Sequence, residues 1–471
     1  MLFSVILVFS LVATGSGRAD TGIGVSRSGH FMTYRGAPLL VVGDSGTQCV
    51  MQNANIDYVR WVKDCAEAGL SAVHIWSFVA PRQRLDGTVV EPRYGYVYPC
   101  LTPWARGTSG PRAHDGGYAW DLQQWDEGDT PDHYWPRLRD LCAQTHQCGL
   151  LLGITVFWGW PKHPKDWAYH PFNVVNGGPV DETPAPHATQ VQRIASPGIE
   201  VWEEPWSEDW PVPMKTQWLW ERFAEKLIRD TAPYDNVFFV FMDEHSYSEG
   251  NGGDHFREFF QRRGCRWTDW EPRRARVDFV FDPIPHEKTS GRNRGAVERF
   301  FREPHKPFLI LEGGPYQGEV VRISLWSALI GGAGYVFHND ERQETVHTGI
   351  MQYDPNVPRT DSGEERLAWM GHASRFVNGA IRNLDAMKPM NELAGPGVFC
   401  LADPGREYAV YAMPRSGPVI PLDMTAGRGT FECRFYNPRS GEWGPTMMRE
   451  GGSRHEFAKP DEEDWALLVQ Q

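Results

Sequence analysis

Residues 236–245 read NVFFVFMDEH. After Asn236 the run is apolar through Met242, with none of the alternation that a strand with one wet face would show. A strand of this kind is buried on both faces, as in a parallel sheet covered by helices. The flanking sequence supplies such helices. Upstream, Trp220, Phe223, Ala224, Leu227 and Ile228 fall at i, i+3, i+4, i+7 and i+8 before Pro233, the stripe of a helix with one apolar face. Downstream, Phe256, Phe259 and Phe260 give a short helix stopped by Gly264.

The same alternation repeats outward from this unit. Strands are expected at 39–42, 72–76, 150–157, 265–268, 277–281, 307–311 and 334–337. Between them, Ile56, Val59, Val62 and Cys65 recur at three-residue steps up to Gly69, which suits a left-handed cap. Further helices are expected over 131–149 and around Phe300, Leu325 and Met370. Eight strands alternating with helices imply a (β/α)8 TIM barrel, an α/β fold spanning 20–385. From 386 to 471 the period changes to two, with turn residues at Asn437-Pro438-Arg439-Ser440-Gly441, as expected for a small antiparallel β-sandwich. Cys400 and Cys433 fall in two of its strands, and a bridge and a pair of buried thiols are equally expected there.

Composition narrows the function. Among 471 residues, 47 Lys and Arg stand against 60 Asp and Glu, and a net charge of −13 repels phosphate backbones, so no nucleic-acid partner is expected. With 41% hydrophobic and 23% charged residues, disorder is excluded as the main state. The 20 Trp, 48 Gly and 36 Pro point to turn-rich loops carrying aromatic surfaces. The apolar run from Leu2 to Ala13 is shorter than the roughly 20 residues of a spanning helix. With Gly17 and Ala19 it reads as a signal peptide over 1–19, implying a secreted or periplasmic protein with no integral membrane segment after its removal. No C-x-x-C pair or HExxH helix is present, so neither metal nor cofactor is expected.

In a parallel barrel the functional loops converge at the strands' C-terminal ends. Those ends carry Asp44, Trp76, Trp158, Asp243-Glu244-His245, Glu312 and His338. Acids after the fourth and seventh strands can place two carboxyls on either side of one bond, as glycoside hydrolysis requires. The long loops 77–130 and 158–214 hold many of the Trp residues, whose flat rings suit sugar faces.

Here NVFFVFMDEHSY and KPFLILEGGPY resemble the acid/base and nucleophile strands of the retaining clan of barrel glycosidases. HFMTYRGAPLLVVGDSG, LWSALIGGAGYVF, YNPRSGEW and DEEDWALLV extend the likeness to apiosidase-like barrels with a C-terminal collagen-binding-type domain. The resemblance implies Glu244 as acid/base and Glu312 as nucleophile. Sugar contacts are expected from the same mouth, with Asp44, Trp76, Trp158, His245, Tyr316 and His338 as the candidates. Asp243 stands where that clan has Asn, so it is a second candidate proton donor. The eighth strand ends Phe337-His338-Asn339-Asp340 instead of Tyr-Gly, which leaves the sugar open. The expected partner is an oligo- or polysaccharide substrate, and the alternative is a glycan-binding barrel without catalysis.

Overall fold

The computed structural model describes residues 22–79, 100–158, 168–181, 212–243, 253–269, 279–281, 290–302, 306–311, 313, 318–338, 349–356 and 361–471. Within these it gives backbone alone for 157–158, 212–217, 241–243, 253–255, 257, 267–269, 279–281, 290–291 and 361–362. The expected signal segment 1–19 lies outside the described residues.

A three-stranded antiparallel sheet comes first, β1 (Ile23–Val25), β2 (Met32–Tyr34) and β3 (Ala37–Leu39). The barrel then begins with β4 (Val42–Ser45) and β5 (Ala72–Trp76), between which lie a single helical turn, Cys49–Gln52, and the helix Tyr58–Ala68. A hairpin, β6 (Trp104–Arg106) with β7 (Trp120–Trp125), occupies part of the loop that follows. β8 (Leu151–Trp158), β9 (Val237–Asp243), β10 (Trp267–Asp269), β11 (Phe279–Phe281), β12 (Phe308–Ile310) and β13 (Gly334–His338) complete a closed parallel ring, in the order β10-β11-β12-β13-β4-β5-β8-β9. No helix among the described residues is long and apolar enough to cross a membrane.

The continuous apolar runs are explained by two buried faces per strand. One set of side chains, including Val41, Ala72, Leu151, Phe238, Val240 and Val336, forms the barrel interior together with Ile23, Met32 and Tyr34, so the N-terminal sheet plugs the bottom. The alternate set, including Val42, Val73, Leu152, Phe239 and Tyr335, packs against the helices. On the helix Tyr58–Ala68 the buried stripe is Tyr58, Trp61, Val62 and Cys65, while Val59 is exposed. Three-residue steps drift around a helix of 3.6 residues per turn, so the expected inward Val59 falls off the stripe. Gly69 caps this helix at φ 93°, as its sequence suggested.

Beyond the barrel lies a six-stranded antiparallel sheet, β14 (Lys388–Pro389), β15 (Val398–Asp403), β16 (Glu407–Ala412), β18 (Thr430–Tyr436), β19 (Met447–Glu450) and β21 (Trp465–Gln470), faced by the pair β17 (Val419–Asp423) and β20 (Arg454–Ala458). Its alternation separates two cores. Cys400, Val410, Cys433 and Leu467 meet Ile420, Leu422 and Phe457 of the facing pair. Leu401, Tyr411, Tyr436 and Leu468 turn the other way and join the barrel's helical core. There Trp326 stacks on Tyr411 at 5.5 Å and 16°, and Arg322 donates two bonds to Asp464, 2.9 and 3.0 Å, while the Tyr411 hydroxyl donates a third at 3.0 Å.

The Cys400 to Cys433 bridge does not form. In the sheet order β14-β15-β16-β21-β18-β19, two strands separate β15 from β18. Three steps of ~4.8 Å place the two cysteines roughly 14 Å apart, beyond the ~4.4–6.8 Å a disulfide spans. All eight cysteines are free thiols.

Candidate active site at the barrel mouth

The strand register builds the mouth in layers. Along β5, Ala72, His74 and Trp76 share the interior phase; along β4 Ser45 does so, and along β8 Thr155 does so. His74 bridges its neighbours, with Nδ1 3.0 Å from Ser45 Oγ and Nε2 2.8 Å from Thr155 Oγ1. Burial, reinforced by the nearby His338, pushes the His74 pKa down to about 3. Its ring is therefore neutral at ordinary pH, with one nitrogen donating and the other accepting. This hydroxyl–imidazole–hydroxyl layer is where an apolar interior gives way to polar chemistry. Sequence reasoning missed it, although a lone His in the apolar run AVHIW, in phase with Trp76, was the signal that could have found it.

Above that layer the Trp76 ring lies 5.6 Å from the His338 ring at 39°. The structure thus brings these two expected sugar-contacting residues together. Asp44 goes elsewhere. It lies inside β4 instead of beyond its end, one step out of phase with Ser45. Its Oδ1 accepts from Arg366 Nη1 at 2.6 Å and its Oδ2 from Trp61 Nε1 at 2.9 Å, both donors coming from the outer helices. With 1% of Asp44 exposed, the structure gives it a buried ion pair joining strand to helices. The expected end at Asp44 followed from placing the strand at 39–42, three residues early, because β3 had claimed Leu39.

The backbone of Asp243 and Trp158 is described, and the two are direct partners where β8 and β9 end. Glu244, His245, Glu312 and Tyr316 lie outside the described residues, as do the side chains of Asp243 and Trp158. The neighbours of Glu312 are informative. Leu311 belongs to the interior cluster. A Cβ on Gly313, however, would strike the Tyr335 ring on the helix side, and the Tyr335 hydroxyl donates to the Gly313 carbonyl. The two-residue alternation therefore slips between Leu311 and Gly313.

The loop after β4 is clamped. Arg137, 3% exposed, donates to the carbonyls of Val50, Asn53 and Ile56 at 2.6, 3.1 and 2.8 Å. Gln52 holds both backbone groups of Val79 at 2.8 Å, and Val79 packs on Trp76. The hairpin Trp residues serve the same end: Trp104 sits among Trp125, Phe172, Trp220 and Phe223, with ring centroids 5.1–6.4 Å away. Trp104 and Trp120 are thus core of their own loop. A cavity of about 380 Å³ lies away from the mouth, between the helices Tyr58–Ala68 and Asp361–Ser374. Among the described residues no group of three or more His, Cys, Asp or Glu is arranged to hold a metal.

No protein-family profile matches the sequence, and no curated protein matches it. Solved structures do. One described as a glycoside hydrolase aligns with a TM-score of 0.62 at 12% identity, over 96% of this chain and 97% of that one. A family 5 glycoside hydrolase from Bacteroides vulgatus gives 0.60 at 13%, over 96% and 94%. An alpha-amylase from Malbranchea cinnamomea gives 0.52 at 11%, over 91% and 96%. At such identities the likeness establishes the architecture, barrel and terminal β-domain together.

Proposed function

We propose that the protein is a glycoside hydrolase in which Glu312 attacks the anomeric carbon while Glu244 protonates the leaving oxygen and then deprotonates the incoming water. The observation that carries this reading is the placement of the two acids. Glu244 directly follows β9 and Glu312 follows β12 by two residues, on strands three steps apart in a closed ring of eight. Two carboxyls so placed can flank one glycosidic bond. The likeness to glycoside hydrolase structures over nearly the whole chain supports the same class.

The resemblance of NVFFVFMDEHSY to the clan's acid/base strand supports Glu244 over Asp243 as proton donor, since Asp243 stands at the position of that clan's Asn. Export belongs to this proposal on the strength of the apolar run Leu2–Ala13 with Gly17 and Ala19, and an apiosidase-like specificity for a polysaccharide side chain and a collagen-binding-type terminal domain belong to it on the strength of the sequence resemblance.

The test is hydrolysis of a panel of 4-nitrophenyl glycosides and plant polysaccharides by the purified protein, with the anomer of the first product followed by NMR. Release of sugar with retained configuration is expected. Inversion would reassign Glu312 as a general base, and binding without hydrolysis would favour the non-catalytic glycan binder.

A further inference from the structure

Thr47 and Gln48, at the start of the clamped loop, combine three features that seldom coincide. Thr47 is fully buried and Gln48 is 1% exposed, yet among the described residues Thr47 Oγ1 and Gln48 Oε1 have no hydrogen-bond partner. Buried polar atoms are almost always paired, because leaving one unpaired forfeits its hydration without return. Thr47 also has φ 46°, in the left-handed region that a β-branched side chain avoids. Glycine would relieve this strain, and the sequence keeps threonine. Strain of this kind persists where the surroundings enforce it, as the bonds of the Thr47 backbone to Ser45 and Trp76 do here, and it gathers at ligand sites.

Location gives the pair its meaning. The Thr47 N–H donates to Ser45 Oγ at 3.3 Å, and its carbonyl accepts from Trp76 N at 3.2 Å. Thr47 therefore sits between the hydroxyl–imidazole layer and the residue that meets His338. We propose that Thr47 and Gln48 are the hydroxyl-recognising pair of the mouth, taking an uncharged sugar seated against Trp76 and His338. A hydroxyl can donate or accept and an amide oxygen accepts, which matches adjacent sugar hydroxyls. The nearby charged pair, Asp44 and Arg366, faces the helices and is engaged with itself, so nothing in it favours a phosphorylated or acidic sugar. This inference rests on the reading of the mouth as a carbohydrate site.

The experiment compares Thr47→Val and Gln48→Met with wild type on the 4-nitrophenyl glycoside that wild type hydrolyses best. Each substitution should lower kcat/KM about tenfold, mainly through KM, as expected for one lost net hydrogen bond. The melting temperature without sugar should stay level or rise, since an unpaired buried polar atom has been removed. Wild-type kinetics in both variants would overturn the proposal and leave the two atoms to an internal water. A lowered melting temperature with unchanged KM would overturn it as well, in favour of a structural role. If wild type turns over no glycoside, the catalytic reading fails separately, and the pair is judged by calorimetric titration with the same glycosides. Weaker binding in the variants supports it, and equal or absent binding in wild type and variants overturns it.

Discussion

The seam between barrel and terminal sheet and the mouth of the barrel are equally buried and oppositely finished. At the seam the carboxylates are matched, although the Trp326 indole N–H finds no partner among the described residues. Asp464 takes three bonds from Arg322 and Tyr411, and the carboxylate of Glu407 accepts from the backbone of Arg382 and Asn383 at 2.9 and 2.8 Å. The Tyr436 hydroxyl donates to the His372 carbonyl at 2.9 Å. At the mouth Thr47 and Gln48 are left unmatched, and the backbone is strained. Stability is concentrated where the sheet meets the helices, and capacity for recognition is held back at the strand ends.

Substitutions should separate the two regions. The largest effect falls at the mouth. Glu312→Gln should lower kcat by at least about a thousandfold, since an amide cannot form the glycosyl intermediate, while the melting temperature stays near wild type. Glu244→Gln should spare activated aryl glycosides and fail on natural glycans. The same pattern in Asp243→Asn instead would exchange the roles of the two acids.

Asp464→Ala is the counterpart at the seam. It strands the Arg322 guanidinium, 4% exposed, without its carboxylate. Removing one member of a buried pair costs about 3–5 kcal/mol, so the unfolding midpoint should fall sharply. Turnover per folded molecule should be unchanged, and a selective loss of kcat in folded protein would break the division between the regions.

A smaller effect concerns acid. His74 and His170 both have pKa values pushed down to about 3 by burial, in the first case with help from His338. Unfolded, each would titrate near 6.5, so the unfolded chain binds more protons below that value. Their contribution is complete above about pH 6.5 and fades as pH falls toward 3, by at most ~1.4 kcal/mol per pH unit for each ring. Thermal melts from pH 7.5 to 4.5 should show the decline beginning near 6.5, with a shallower slope in His170→Gln. A flat profile in wild type across that interval would contradict the neutral, buried state of both rings.

Much of the barrel could be read because strands buried on two faces announce themselves as unbroken apolar runs. The run ending at Met242 and the one ending at Leu311 landed on β9 and β12 for that reason. Short strands lack that signal, which is why β1 to β3 and the Trp104 hairpin went unread. Phase was harder than position. A one-residue difference decides whether a strand-end acid meets ligand or helix, and Asp44 fell on the helix side because its strand begins three residues later than expected. His74 and Thr47 acquire their roles from register and loop closure, which link residues far apart in the chain.

The position of β21 has a consequence for biosynthesis. It follows every other described strand in the chain, yet it lies in the middle of the terminal sheet, paired with β16 on one side and β18 on the other. Until residues 465–470 leave the ribosome, those two strands have no shared partner, and Trp326 and Phe376 lack part of their cover. The barrel can collapse during translation, but its seam can close only afterwards. Nascent or prematurely terminated chains would expose unpaired strand edges beside an aromatic face, the combination that chaperones bind and proteases clear.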